Sequence, residues 1–197
     1  MARNVSRIAL AMLDLALSPT KDERLLAQPT PPLDQRPLRL PLLRAGERCP
    51  TTTGSRDKVP HQEHIFGSGG FWFGNDPAFV GLGWKAADSL DDRATFSLAP
   101  VPRVGKSASA KTMWVSEPSY SGPILIRGQA LDAEEKPLEF RASSGGRGRS
   151  LYLMAPNSRS ATLWSFWPSY MYIPGPGCYG VQLDTLSGTT IVVFQAT

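Results

Sequence analysis

Beyond residue 20 the chain lacks any long apolar stretch with helical periodicity. That excludes a helical bundle, and the single apolar run nearer the start is far too short to span a bilayer. Histidine is scarce, with two residues, and so is cysteine, also with two. Two cysteines are too few for a zinc knuckle or a disulfide-dense scaffold. A concentration of one charge sign is missing as well. The net charge is +4, but residues 1–48 carry 8 Lys/Arg against 5 Asp/Glu, while residues 49–197 carry 13 against 12. The second part is therefore nearly neutral, where a nucleic-acid surface requires a clustered basic face. No nucleic-acid partner is expected.

Turn formers and strand formers are plentiful instead. Glycine and proline contribute 18 residues each, and 41% of the chain is hydrophobic. Short runs rich in Val, Ile, Phe, Tyr and Trp recur between Gly, Pro, Asn and Ser clusters. They include Ile65–Phe73, Ala78–Trp84, Ala94–Leu98, Thr112–Val115, Ile124–Leu131, Leu138–Ala142 and Leu151–Met154. Thr162–Phe166, Tyr170–Ile173, Cys178–Leu183 and Thr190–Gln195 follow. Nearly all are strand-length, and their spacing predicts an all-β fold, a two-sheet sandwich of seven to nine strands.

The organisation expected is threefold. Residues 1–18 hold Arg3 and Arg7 before the apolar run Ile8–Leu17, which matches a signal peptide's charged and apolar regions although Asp14 interrupts it. The same run fits a short amphipathic helix, or a start codon upstream of the true one. Residues 19–48 carry Pro19, Pro29, Pro31, Pro32, Pro37 and Pro41 and read as an extended linker or arm. Residues 49–197 form the sandwich.

The last segment is the most regular. In Cys178–Leu183, residues Tyr179, Val181 and Leu183 share one face and enter the core together. Cys178 then points the other way. The return segment Ile191-Val192-Val193-Phe194 is apolar on both parities, which predicts a strand covered on both faces. Cys49 and Cys178 stand at the two ends of the predicted domain, a placement that favours one long-range disulfide in an exported protein over two free cytosolic thiols. It would close a loop of about 130 residues, worth on the order of 4–5 kcal/mol in the chain-entropy model. Because Cys178 lies off the core face, the bridge would pin the segment after the linker onto the outside of the last hairpin.

The stretch Pro176-Gly177-Cys178-Tyr179-Gly180-Val181-Gln182-Leu183-Asp184 followed by Ile191–Phe194 resembles the end of bacterial immunoglobulin-like β-sandwich domains. So does Gly122-Pro123-Ile124-Leu125-Ile126-Arg127-Gly128-Gln129-Ala130-Leu131-Asp132. Similar segment pairs occur in small exported bacterial proteins of uncharacterised function, some of them lipoproteins. The resemblance covers residues 70–196 and implies a fold, with no catalytic residue. The residues before Cys49, Gly46-Glu47-Arg48, are not a lipoprotein cleavage box, so lipid attachment there is not expected.

Catalytic patterns fail on inspection. Gly105-Lys106-Ser107 has Pro100 where a phosphate-binding loop needs glycine. The Ser-x-x-Lys matches at Ser18–Lys21 and Ser55–Lys58 lie in linker-like sequence. Three groups remain as candidates. His61, Glu63 and His64 could ligate a metal in a small hydrolase, although the zincin spacing is absent. The loop Ser143–Ser150 holds Arg147 and Arg149 among glycines, and reads as a mobile hairpin tip or as a contact for phosphate or an anionic glycan. Trp164, Trp167, Tyr170 and Tyr172 could form a shallow carbohydrate-binding platform, against the alternative of core and inter-sheet packing. The leading expectation is a non-enzymatic, exported binding or structural module. It needs no cofactor, has no transmembrane span, and takes a protein partner or a glycan as a subunit of an envelope or extracellular assembly.

Overall fold

Two packed sheets and one polar-and-apolar strap make up the computed structural model, which describes residues 31–44, 46–59, 70–82, 92–99, 101–132, 136–143, 145–154 and 163–197. Its strands are β1 Phe73–Asn75, β2 Ala78–Leu82, β3 Thr95–Phe96, β4 Arg103–Val104, β5 Ser107–Ser116 and β6 Ile124–Ala130. They continue with β7 Glu139–Ala142, β8 Ser150–Leu153, β9 Ser165–Ile173, β10 Gly177–Thr185 and β11 Gly188–Ala196. The six-stranded sheet has the order β1-β2-β5-β9-β7, with β4 also paired to β5. The five-stranded sheet has the order β3-β11-β10-β6-β8. The all-β two-sheet sandwich expected from the sequence is present. Among the described residues the one helical element is a 3-10 turn, Leu33–Gln35.

Side-chain alternation builds the core. On β10 and β11, Tyr179, Val181, Leu183, Val192 and Phe194 point inward, and the Tyr179 and Phe194 rings stack at 5.4 Å. Facing them from β5, β7 and β9 are Ala108, Ala110, Trp114, Phe140, Met171 and Ile173. Trp114 is fully buried and its indole N–H donates to Ser169 Oγ at 2.6 Å, so the apolar ring enters the core without an orphaned donor.

The end of one segment read from sequence, Ser165-Phe166, and the whole of another, Tyr170–Ile173, belong to the single strand β9. Pro168 interrupted that reading. The structure tolerates it because β7 pairs only with Ser169–Tyr172. At Pro168 the strand is flanked by β5 alone, so it is locally an edge, the position where a missing N–H is least costly.

The outer face of the five-stranded sheet is covered. Residues 31–49 run across it as a strap, and the compact unit of the chain begins at Pro31 rather than at Cys49. The described part of the segment expected to be a linker or arm, residues 19–48, thus packs on the sheet face. Arg36 is buried, and its Nη1 donates to the carbonyls of Thr185 at 2.6 Å and Gly188 at 3.2 Å. The Arg39 N–H donates to Gln182 Oε1 at 2.6 Å, and Gln182 Nε2 donates to the Pro37 carbonyl at 3.0 Å. Leu40 lies over Gly180, where a Cβ would sit 3.0 Å from the leucine methyl. Leu40 and Leu43 pack with Leu131, Cys178 and Val193. The strap ends at the Cys49–Cys178 disulfide, with Cα atoms 5.5 Å apart. Prolines suit this role because an extended segment laid on a sheet face, not in its ladder, needs few backbone donors.

The strap explains why β11 is apolar on both parities. Val192 and Phe194 face the core, while Ile191 and Val193 lie beneath Leu40 and Leu43. Next to the bridge, Thr52 exchanges hydrogen bonds with Val193, its N–H donating to the carbonyl and its Oγ1 accepting from the N–H, each at 2.8 Å.

Candidate functional site

The strap covers the middle of one outer face, over β10; the opposite outer face, that of the six-stranded sheet, carries a different set of side chains. Its two ends differ. At the end formed by Val59, Trp72, Phe79, Met113 and Val115, a second small apolar cluster forms, with Trp164 and Phe166 packed against it. The Trp164 ring lies 6.1 Å from that of Phe79. Trp164 is therefore engaged in packing.

At the other end the register creates a band of cations and tyrosines. Tyr170 on β9 stands between Lys111 on β5 and Arg141 on β7. Two residues on, Tyr172 stands between Ser109 and Glu139. The antiparallel bridge between Phe140 and Gly148 carries the pattern one chain further, with Arg147 beside Arg141 and Arg149 beside Glu139. Directly paired residues share a face, so these two rows hold four cations and one carboxylate.

The tyrosine rings hold the guanidinium groups. Arg141 lies 5.0 Å from the Tyr170 ring centroid, and Arg147 lies 4.0 Å from that of Tyr172. Such stacking is attractive because the ring face carries negative quadrupole density. Arg147 also forms an ion pair with Glu139 and donates to Ser107 Oγ at 3.2 Å. The glycine-rich segment is thus anchored through its arginine, and not a tip that projects alone. Tyr172 is only 3% exposed beneath this arrangement, whereas Tyr170 is half-buried and Pro168 beside it is exposed.

The aromatic platform of the sequence reading is accordingly divided. Tyr170 and Tyr172 come together on the outer face. Trp164 sits in the satellite cluster, on the same face but at the other end. Trp167 has the opposite parity: it packs against the main core, with its indole N–H donating to the Met154 carbonyl at 3.3 Å. His61, Glu63 and His64 lie outside the described residues. Among the described residues no group of three or more His, Cys, Asp or Glu side chains is arranged to hold a metal, and no helix is long and apolar enough to cross a membrane.

A second polar feature lies at the turn between β1 and β2. The Asp76 and Glu117 carboxyl groups lie close to one another, and Ser119 Oγ donates to Glu117 Oε2 at 3.4 Å. Desolvation first, and the Asp76 hydrogen bond and charge next, raise the Glu117 carboxyl above its ordinary value. A raised acid pKa in the folded state means that the unfolded chain loses its proton first, so stability falls as pH rises through that range. Glu117→Gln is expected to raise the melting temperature at pH 7 and to change it less at pH 4, where the carboxyl is more often protonated in both states. Equal shifts at the two pH values in thermal melts would contradict this.

The arginine–tyrosine band was not predicted as a unit. The alternation in Glu139-Phe140-Arg141 and Tyr170-Met171-Tyr172 shows which residues point outward, but only the pairing of β5, β9 and β7 brings them side by side. Comparison with protein-family models, with curated proteins and with solved structures finds no match to this chain.

Proposed function

We propose that this chain is a non-enzymatic binding and interaction module acting outside the cytoplasm, and that it meets its partner through the outer face of the six-stranded sheet. One observation carries the reading. Of the two outer faces, the strap covers the middle of one, and the other presents Arg141, Arg147, Arg149, Lys111 and Tyr170 in two rows. The Cys49–Cys178 disulfide supports export, since such bonds persist in oxidising compartments. The run after Arg3 and Arg7 fits the same location, and an envelope or extracellular assembly is the setting in which such a module would serve as a subunit.

The test compares charge reversal on the two faces. Labelled protein is incubated with envelope material from the source cells and the retained fraction measured. Arg141→Glu is expected to reduce retention at least tenfold. Leu42→Asp, on the strap and 87% exposed, is expected to leave it unchanged. Equal retention of wild type and Arg141→Glu would remove the assignment of this face.

A further inference from the structure

We infer that the ligand of this face is an acidic polysaccharide, a chain of sugar rings bearing oxyanions, a conclusion that rests on the reading of the face given above. The argument begins with what the arginines have left to offer. Arg141 is exposed, and its contact among the described residues is the Tyr170 ring. A guanidinium lying on a ring keeps its N–H edges free, and those edges match a carboxylate or sulfate in a two-pronged hydrogen bond. Stacking on tyrosine also fixes the side chain beforehand, so less rotamer freedom is lost on binding. Arg149 is exposed in the next row.

Along β9 from Tyr170 the outer face continues in Pro168, which is exposed, while Tyr170 is half-exposed. The Pro168 ring and the part of Tyr170 that Arg141 leaves uncovered can accept the C–H face of a pyranose. A ring site and an oxyanion site are thus adjacent. Successive rows along β9 are two residues apart, roughly 6–7 Å, so Arg141 and the exposed Arg149 of the next row follow one another along a line, which suits a polymer bearing repeated oxyanions better than a single small anion.

Other occupants fit less well. A neutral glycan offers the guanidinium edges only uncharged hydroxyl acceptors, without the charge-assisted, two-pronged match of an oxyanion. A nucleic acid demands a broad basic surface, and residues 49–197 hold 13 Lys/Arg against 12 Asp/Glu. Protein interfaces concentrate their energy in large side chains that enter desolvated pockets, but here the Tyr172 ring is already beneath Arg147.

The experiment uses the full chain, with its disulfide intact, in affinity electrophoresis through gels containing a dissolved polymer. The polymers are polygalacturonate for the carboxylate, dextran sulfate for the sulfate, dextran as the neutral glycan, polyglutamate as an acidic polypeptide and single-stranded DNA. Retardation by polygalacturonate or dextran sulfate is expected, and whichever is stronger identifies the oxyanion. Arg141→Gln and Tyr170→Ala are each expected to weaken it at least tenfold, with Leu42→Ser unchanged. Circular dichroism verifies that each variant is folded. Retardation by dextran equal to that by the acidic glycans would overturn the inference, as would equal binding of polyglutamate or DNA, or no binding to any glycan. In the last case, a continued effect of Arg141→Glu on envelope retention would show that the face is right and the ligand class wrong.

Discussion

Replacing Cys49 and Cys178 together by alanine is expected to lower the unfolding free energy by about 5 kcal/mol, the chain-entropy value for a loop of this length. The bridge joins residues 129 apart in sequence. That loss is comparable to the whole stability of many domains. The strap should suffer first, because its remaining attachments are few: the hydrogen bonds of Arg36, Arg39 and Leu43 and the packing of Leu40 and Leu43. Urea unfolding measures the global loss. Trypsin under native conditions measures the local one, with cleavage after Arg39 and Arg44 appearing in the double variant. A loss below about 1 kcal/mol, with no new cleavage, would show that the strap holds without its bond, far from the chain-entropy expectation.

The second large effect concerns a charge hidden under that strap. Asp184 has no solvent exposure. Its carboxylate accepts from Arg127 Nη2 at 2.7 Å, from Gln182 Nε2 at 2.9 and 3.0 Å, and from Thr189 Oγ1 at 2.6 Å. Gln182 in turn bonds the strap backbone on both its amide atoms. Asp184→Ala removes the acceptor for all three donors and leaves the Arg127 charge largely out of water. Breaking a buried pair in this way costs about 3–5 kcal/mol. Asp184→Leu combined with Arg127→Met removes both charges and is expected to recover most of that loss, because no unpaired ion remains. Shifts in the urea midpoint with an unchanged slope would measure both. A single Asp184→Ala variant as stable as wild type would rule out a structural role for the network.

Much of the fold was legible, and the reasons are local. Tyr179, Val181 and Leu183 alternate with Cys178, Gly180 and Gln182, so their faces follow from the period of a strand alone. The same parity placed the disulfide on the outside of the sandwich. What covers that outside was not legible. The strap's contacts link Arg36, Arg39 and Leu40 to residues 140 or more positions away, and a proline-rich stretch carries no periodic signal that would reveal them. The arginine–tyrosine band failed to appear for a similar reason. Arg141, Tyr170 and Lys111 come from three separated segments, and cross-strand neighbours are set by topology, not by spacing along the chain. The aromatic residues misled because composition says nothing of sides: Phe166 and Trp167 are adjacent in sequence and point to opposite faces of one strand.

Strand order has a consequence for how such a chain comes into being. β10 occupies the middle of the five-stranded sheet, between β6 and β11, and carries Cys178, yet it begins only at Gly177. A ribosome adding 5–20 residues per second leaves on the order of ten seconds between the appearance of Cys49 and that of its partner. Through that interval Cys49 is an open thiol and β6 lacks its central neighbour. Folding cannot proceed from the N-terminus inward; it waits for the closing hairpin, and the earlier strands must be kept from pairing wrongly until that hairpin arrives.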